Sequence, residues 1–464
     1  MESTVRKIHD NTIRILGEIG VNLYSDSVIE KIKKHGIKVE GKTAFFTEKQ
    51  IMDAVAKVPK SFDVKARNPK HDMHIGDNDV EYCPGYGCTN IIEPDGTLRE
   101  ALRDDYVKFL KLIEASDVFN INGGLAVQPC DINADNSHMI MMSDILEYSN
   151  KCIMSIPGPR KSVQELMDMM TIVFGEEELK KEGKSLTLIS TVSPLVIDEH
   201  ALDSMEVCIE YNQPMIITPG PISGGTGPIT LAANLSLGNA EALAAICISQ
   251  ILKEGTPVIY GLLPTTSNIR NGCISIGSPG FTLQSKYSAE LARFYGLPNR
   301  SGGTQSDAKG VSVQSGYEAM MNMFSTRLNG ANFVIHSAGI LDSFGAMSYE
   351  KFICDLEIIS MVDYYFKDVP VTEDDLAFGA IKEVGHGGQF LSNSHTFERC
   401  RTVPWFHSIG SNDILPDNRM YVEGLGSNME KEIGKLIDSY RKPEMDSIVK
   451  KQLDEYLSVR NVIR

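Results

Sequence analysis

Two periodicities alternate along most of this chain. From residue 81 onward, short apolar runs are separated by longer stretches in which apolar residues recur every three to four positions. The short runs are EYCPGYG (81–87), FNINGGLAV (119–127), KCIMSI (151–156), LTLISTV (186–192), PMIITPG (214–220), PVIYGLL (257–263), LPNRSGG (297–303) and ANFVIHSAG (331–339). The longer stretches lie near 100–115, 136–149, 161–175, 198–212, 228–253, 279–296, 313–329 and 348–367. This spacing predicts eight strand-then-helix units, which suit a closed parallel barrel. Buried parallel strands should be near-continuously apolar, as MIIT and FVIH are. The first and seventh runs are richer in glycine and polar residues. A doubly wound open sheet is the alternative, but it would normally carry a glycine-rich phosphate turn, and no GxGxxG or P-loop pattern occurs.

Residues 1–80 read as an N-terminal helical extension. Val5, Ile8, Ile13, Leu16 and Ile19 have roughly helical spacing, with Gly20 as a stop. SDSVIEKIKKHG opens on a Ser/Asp cap signal, and TEKQIMDAVAKVP repeats the pattern and ends before Pro59. Residues 401–464 read as a C-terminal helical tail, in which 427–464 form two charged helices separated by KPEM. The expected fold class is therefore α/β: a (β/α)8 TIM barrel over 81–400 with helical additions that cover it or make homo-oligomer contacts.

Composition narrows the function. The 464 residues are 42% hydrophobic and 23% charged, with a formal net charge of −16. An acidic chain lacks the clustered Lys and Arg that nucleic acid or an anionic membrane surface requires. The first twenty residues hold no continuous apolar stretch of signal-peptide type, and no segment approaches the roughly 18 apolar residues of a membrane span. Nine scattered cysteines without a CxxC pair suit a reducing cytoplasm better than a disulfide framework.

Barrel enzymes place their chemistry where strands hand over to loops at the C-terminal face. Three glycine-rich segments fall there: PGPISGGTGPITLAANLSLGNAEALAA (219–245), SGGTQSDAKGVSVQSGYEA (301–319) and HSAGILDSFGAMSYEKF (336–352). Glycine lets backbone approach a ligand closely and frees N–H groups for it. No GxSxG nucleophile elbow and no HExxH occurs. His71 and His74 form an HxxH ahead of the barrel, Cys83 and Cys88 lack a second pair, and His386 and His395 share one loop. None makes a convincing zinc set, so no metal site is expected.

These segments, with LNGANFVIHSAGILDSFGAMSYEKFICDLEI and FLSNSHTFERCRTVPWFHSIGSND, resemble the trimethylamine methyltransferase family nearly end to end. The resemblance implies a barrel that passes a methyl group from an amine to reduced cobalt, the cobalamin being carried by a separate corrinoid protein and none bound by this chain. The founding trimethylamine enzymes use pyrrolysine, whereas this sequence holds standard residues only. A neutral tertiary amine would have to leave as an amide anion; a quaternary ammonium leaves as a neutral tertiary amine. The chain thus resembles the glycine betaine branch, which lacks pyrrolysine. Gly280 in IGSPGFTLQ departs from the acidic residue found in many relatives.

A betaine pocket needs aromatic faces for the cation and donors for the carboxylate. Tyr86 and Phe344 are the candidate aromatic residues, with Tyr82 and Tyr260 behind them. His336, His395 and Arg270 are candidates for the carboxylate, and Asp307 could orient a partner or face the cation. Asp307 and His336 are the residues expected to carry catalysis, and Tyr86, Arg270, Phe344 and His395 those expected to bind substrate. Two rival functions remain open: a barrel lyase or hydrolase with Asp307 and His336 as an acid/base pair, and a non-catalytic betaine-binding protein.

Overall fold

The structure, a computed structural model, describes residues 2–412 and 421–462. Eight parallel strands form a closed ring: β1 (Glu81–Tyr82), β2 (Ile121–Gly123), β3 (Cys152–Met154), β4 (Ser185–Ile189), β5 (Met215–Ile217), β6 (Val258–Tyr260), β7 (Arg300–Gly302) and β8 (Phe333–Ile335). Strands β2 to β6 pair in sequence, β7 pairs β8, and β8 pairs β1. The parallel bridge Tyr260–Asn299 joins β6 to β7. The ring closes between β1 and β2 just beyond the strands, through the Cys88–Val127 bridge and a 2.6 Å bond from the Gly87 N–H to the Leu125 carbonyl. All eight predicted runs overlap a barrel strand, the glycine-rich first and seventh included.

The helices follow the same order: α1 (Arg103–Ala115), α2 (Ser137–Tyr148), α3 (Arg160–Phe174), α4 (Glu199–Glu210), α5 (Leu231–Leu252), α6 (Pro279–Tyr295), α7 (Val313–Leu328) and α8 (Tyr349–Tyr365). Local chemistry sets their starts. Ser278 caps α6, with Pro279 at its first position, and Ser312 and Ser348 cap α7 and α8. Helix α5 corrects one expectation. It is 22 residues long and apolar enough to cross a membrane, yet 89% of its apolar window is buried in the protein. Asn, Gly, Glu and Ser interrupt its sequence, so it never reads as one apolar run. Those polar residues find partners inside: Glu241 accepts from Ser193 Oγ at 2.9 Å and from the Leu195 N–H at 2.8 Å.

The N-terminal region is not purely helical. Its three helices form as read, at Glu2–Arg14, Asp26–Lys34 and Glu48–Val55, the last two capped by Ser25 and Thr47. Between them run three-residue strands, Val21–Leu23, Lys38–Glu40 and Thr43–Phe45, and Val21–Leu23 also pairs with Val196–Ile197 from the loop after β4. A further hairpin, Ser61–Val64 with Met73–Gly76, closes the floor of the barrel. Its Val64, Met73 and Ile75 share one apolar cluster with Ile121, Cys152, Leu186, Ile216, Ile259 and Phe333. Only the opposite mouth is left for a ligand.

Beyond α8 the chain clips back onto that helix. Trp405 Nε1 donates to Ser360 Oγ at 2.9 Å, and Glu357 accepts from the Ser408 N–H at 2.8 Å. Helices Tyr421–Ser439 and Ser447–Val459 then strap the outside of the barrel, where Tyr456 donates to Asp168 at 3.0 Å.

Candidate active site

Barrel strands are buried on both faces, so parity alone decides which side chains enter the interior. Ile216 and Ile259 point inward, where they pack with Leu186 and Phe333. Tyr260 follows Ile259 and therefore points out, donating to Asn239 of α5 at 2.8 Å. Tyr82 likewise points out and donates to Asp363 of α8. Both tyrosines thus leave the list of candidates for the cation site, each being one residue out of phase with the interior.

Arg300 has the inward parity, paired with Phe333 across the ladder. Its side chain is only 1% exposed. Gly261 makes room for it: a Cβ at that position would stand 2.7 Å from the Arg300 Cβ and Cδ. Nη1 donates to the Leu262 carbonyl at 3.3 Å, while Nε and Nη2 have no partner. Burial pulls this guanidinium down to about 10, still charged at neutral pH, and the Cys83 thiol is its electrostatic neighbour. Two residues on, Gly302 has no side chain, and the amide of Gln305 lies over it. Gln305 is fully buried, and neither its Oε1 nor its Nε2 has a partner.

His336 follows β8 with φ 60°, in the left-handed region. It is buried, its Nδ1 is unpartnered, and its ring lies 4.7 Å from that of Phe344. Burial drives its pKa well below the ordinary imidazole value and the nearby Arg300 charge lowers it further, so the ring is neutral. Phe344 is half-buried and belongs to three successive left-handed residues, Asp342, Ser343 and Phe344, at φ 52°, 54° and 74°. Such conformations cost roughly 1–3 kcal/mol each and gather at functional sites. Tyr86 lies just beyond β1, buried, its hydroxyl unpartnered and its ring against Gly124. Unpartnered buried polar atoms also occur on Ser155, Thr218 and Thr265, beyond β3, β5 and β6. Native folds satisfy most buried polar atoms, so their gathering at strand ends marks this mouth as a ligand site.

The rim is held by carboxylates that are already engaged. Asp307 accepts from Ser275 Oγ at 2.6 Å, from the Ile276 N–H at 2.8 Å and from Ser343 Oγ at 2.8 Å. It therefore ties the hairpin Thr266–Asn268/Cys273–Ser275 to the left-handed loop. Glu318 of α7 accepts from Ser306 Oγ at 2.6 Å and from the Asp307 N–H at 2.8 Å. Behind them, Lys351 of α8 donates to the Thr304 carbonyl at 2.9 Å and pairs with Asp355, which takes the Gly339 N–H at 2.8 Å. This buried pair fixes the loops after β7 and β8 together.

The expected site residues thus divide. Tyr86, His336 and Phe344 all lie beyond the C-terminal ends of β1 and β8, His336 and Phe344 in ring contact. Asp307 stands on the rim as a clamp. Arg270 is exposed near the tip of its hairpin, where its N–H donates to Asn268. His395 lies beyond α8 in the helix Ser394–Arg399, its N–H bonded to Asn393 at 3.0 Å. Gly280 sits in the first turn of α6, where a Cβ would stand 2.8 Å from Thr266 Cγ2; an acidic side chain there would press on the same hairpin. His71 bonds Asn120, and His74 bridges Asp63 and Asp77, both in the floor region. Among the described residues no group of three or more His, Cys, Asp or Glu side chains is placed to hold a metal ion. Sequence reading missed Arg300 and Gln305. The available signal was an arginine inside a strand that must be covered on both faces.

Comparison with known proteins agrees with this architecture. The family model described as trimethylamine methyltransferase (MTTB) matches residues 1–462. The glycine betaine methyltransferase of Desulfitobacterium hafniense (strain Y51) is 41% identical over 396 residues, covering 85% of this chain and 83% of that protein. The proline betaine:corrinoid methyltransferase of Eubacterium limosum is 29% identical over 467 residues, covering 98% and 96%. Among solved structures, the monomethylamine methyltransferase of Methanosarcina barkeri superposes with a TM-score of 0.51 at 11% identity, covering 93% of this chain and 98% of that one. That likeness is one of fold.

Proposed function

The chain belongs to the trimethylamine methyltransferase family, and within it we propose an enzyme that moves a methyl group from a betaine-type quaternary amine to the Co(I) of a separate corrinoid protein. One observation carries this reading: in a chain 41% identical to a glycine betaine methyltransferase, the barrel mouth holds aromatic rings, unpartnered buried polar atoms and a neutral histidine.

The chemistry asks little proton traffic of the protein. The cobalt of the acceptor supplies an electron pair to the methyl carbon, the C–N bond breaks, and its pair stays on nitrogen. A quaternary ammonium leaves as a neutral tertiary amine, so no proton moves and no Lewis acid is required. The protein's task is to hold the methyl carbon in line with the acceptor. Phe344 and Tyr86 offer faces to the ammonium, each worth roughly 0.5–2 kcal/mol when desolvated. Neutral His336 adds no repelling charge and holds the Phe344 ring. The acid/base alternative loses its footing, because Asp307 is engaged by three donors and His336 resists protonation.

The acceptor needs a low surface on which to dock. Ile229 and Ile269, 59% and 65% exposed, flank Gly224 on the rim. They form an apolar patch suited to a corrinoid protein. A second exposed apolar set, including Val371, Phe378, Leu391 and Phe397, lies in the segment beyond α8 and suits contact with another copy of the chain; light scattering on the purified protein checks for that homo-oligomer. The nine cysteines are free, which suits a reducing cytoplasm without oxygen, where Co(I) survives.

The deciding assay mixes the protein with a cognate corrinoid protein and a reductant, and follows cobalt methylation spectroscopically. Glycine betaine or a related betaine should methylate the cobalt and yield the matching tertiary amine, such as dimethylglycine. Trimethylamine and dimethylamine should not. Comparable rates with trimethylamine would break the leaving-group argument.

A further inference from the structure

We propose that Arg300 and Gln305 form the carboxylate-binding base of the site, drawing the acid end of a zwitterionic quaternary amine inward and leaving its ammonium methyl groups toward the mouth. This rests on the quaternary-amine reading above and assigns the substrate's other end.

The geometry of Arg300 carries the inference. A guanidinium binds a carboxylate side-on through Nε and one Nη, two N–H bonds that run parallel. In Arg300 those two nitrogens, Nε and Nη2, are the unpartnered ones, while Nη1 is spent on the Leu262 carbonyl. The side chain is buried on the inner face of β7, beside Cys83 and neutral His336, neither of which supplies an anion. A buried cation without a counter-charge is costly, and a bound carboxylate supplies the missing charge.

Gln305 completes the arrangement. Arg300 and Gly302 share the inner face of one strand, two residues apart. Because Gly302 has no side chain, the Gln305 amide occupies that layer with both polar atoms unpartnered and fully buried. Its Nε2 can give a carboxylate a further hydrogen bond. The orientation follows from depth. Arg300 is rooted in the barrel interior and almost wholly buried, whereas Phe344 is half-exposed at the mouth. A zwitterion held by both ends therefore has its carboxylate inside and its methyl groups facing the incoming acceptor.

The test compares glycine betaine with its carboxamide, which keeps the trimethylammonium but carries no charge at the other end. The wild-type enzyme should prefer the acid by about 100-fold in kcat/KM, mostly through KM, as expected for a site left with unpaired buried donors. Arg300→Gln should abolish that preference by losing affinity for the acid, and Arg300→Lys should restore part of it. Circular dichroism checks that the variants fold. Should Arg300→Gln fail to fold, Gln305→Leu and the wild-type comparison still decide. Equal use of acid and amide by the wild type, or an unchanged preference in folded Arg300→Gln, overturns the assignment. Calorimetric titration of glycine betaine separates the two readings: tight binding lost in Arg300→Gln, without cobalt methylation by the wild type, would sink methyl transfer and keep the carboxylate site.

Discussion

Asp307 offers the sharpest division between holding the site together and acting on the reacting atoms. Its carboxylate accepts from two serine hydroxyls and the Ile276 N–H, all within 2.8 Å. Hydrogen bonds to a charged group contribute about 1.5–3 kcal/mol each. In Asp307→Ala the two hydroxyls can turn to water, but Ile276 is buried and its N–H would lose its partner. The expected net loss is about 3 kcal/mol, which lowers the population of the ordered rim by roughly 100-fold. Asp307→Asn is much milder. Its Oδ1 can still accept from Ile276 and Ser343, while its NH2 faces Ser275 Oγ, which can accept. Stopped-flow formation of methylated corrinoid should show kcat/KM within about tenfold of wild type for Asn and about 100-fold lower for Ala, largely through KM. Limited proteolysis should cut the 266–275 hairpin faster in Asp307→Ala. If instead Asp307→Asn loses about 1,000-fold in kcat at unchanged KM, the carboxylate takes part in the chemistry and the clamp account fails.

Two further outcomes follow from the rings of the mouth. Phe344→Ala and Tyr86→Ala should each raise KM for a betaine by ten- to thirty-fold, about 1–2 kcal/mol of lost cation–π contact, and unchanged kinetics in both would remove these rings from the pocket. His336 is held neutral by burial, so its folded pKa lies below its unfolded value of about 6.5. Its contribution to stability is complete above pH 6.5 and is lost as the pH falls below it, because the unfolded chain then binds the proton more readily. Melting temperatures of the wild type and His336→Gln, taken from pH 8 to 5, should diverge in slope below pH 6.5; parallel curves would show that His336 titrates normally.

The barrel was legible because its strands and helices differ in period. Runs such as MIIT are too short and too continuously apolar for a surface helix, and each is followed by a longer stretch of helical spacing. What the sequence hid was parity. In a strand covered on both sides, Ile259 and Tyr260 look equally buried, and only the closed ring shows which one faces its axis. The same blindness concealed Arg300, which reads as part of a polar turn in LPNRSGG until β7 is seen to need an interior face. His336, Tyr86 and Phe344 could be singled out as candidates because strand ends and aromatic type are local properties. The small strands of the N-terminal region were missed for the opposite reason. Three residues such as Lys38–Glu40, two of them charged, carry no periodic signal and become strands only by pairing with neighbours.

Helix α5 has a consequence for biosynthesis. A segment of that length and apolarity, met alone, would be a candidate for delivery to a membrane or for aggregation. Its covers are helices Glu2–Arg14, Asp26–Lys34 and Glu48–Val55. All three are encoded upstream and leave the ribosome some 175 residues or more before it, as a difference of roughly one barrel half in a chain made from its N-terminus. The socket is thus translated before the element it must receive. Order along the gene thus has these covering helices made first, and a circular permutation that placed the first 56 residues last would reverse that order.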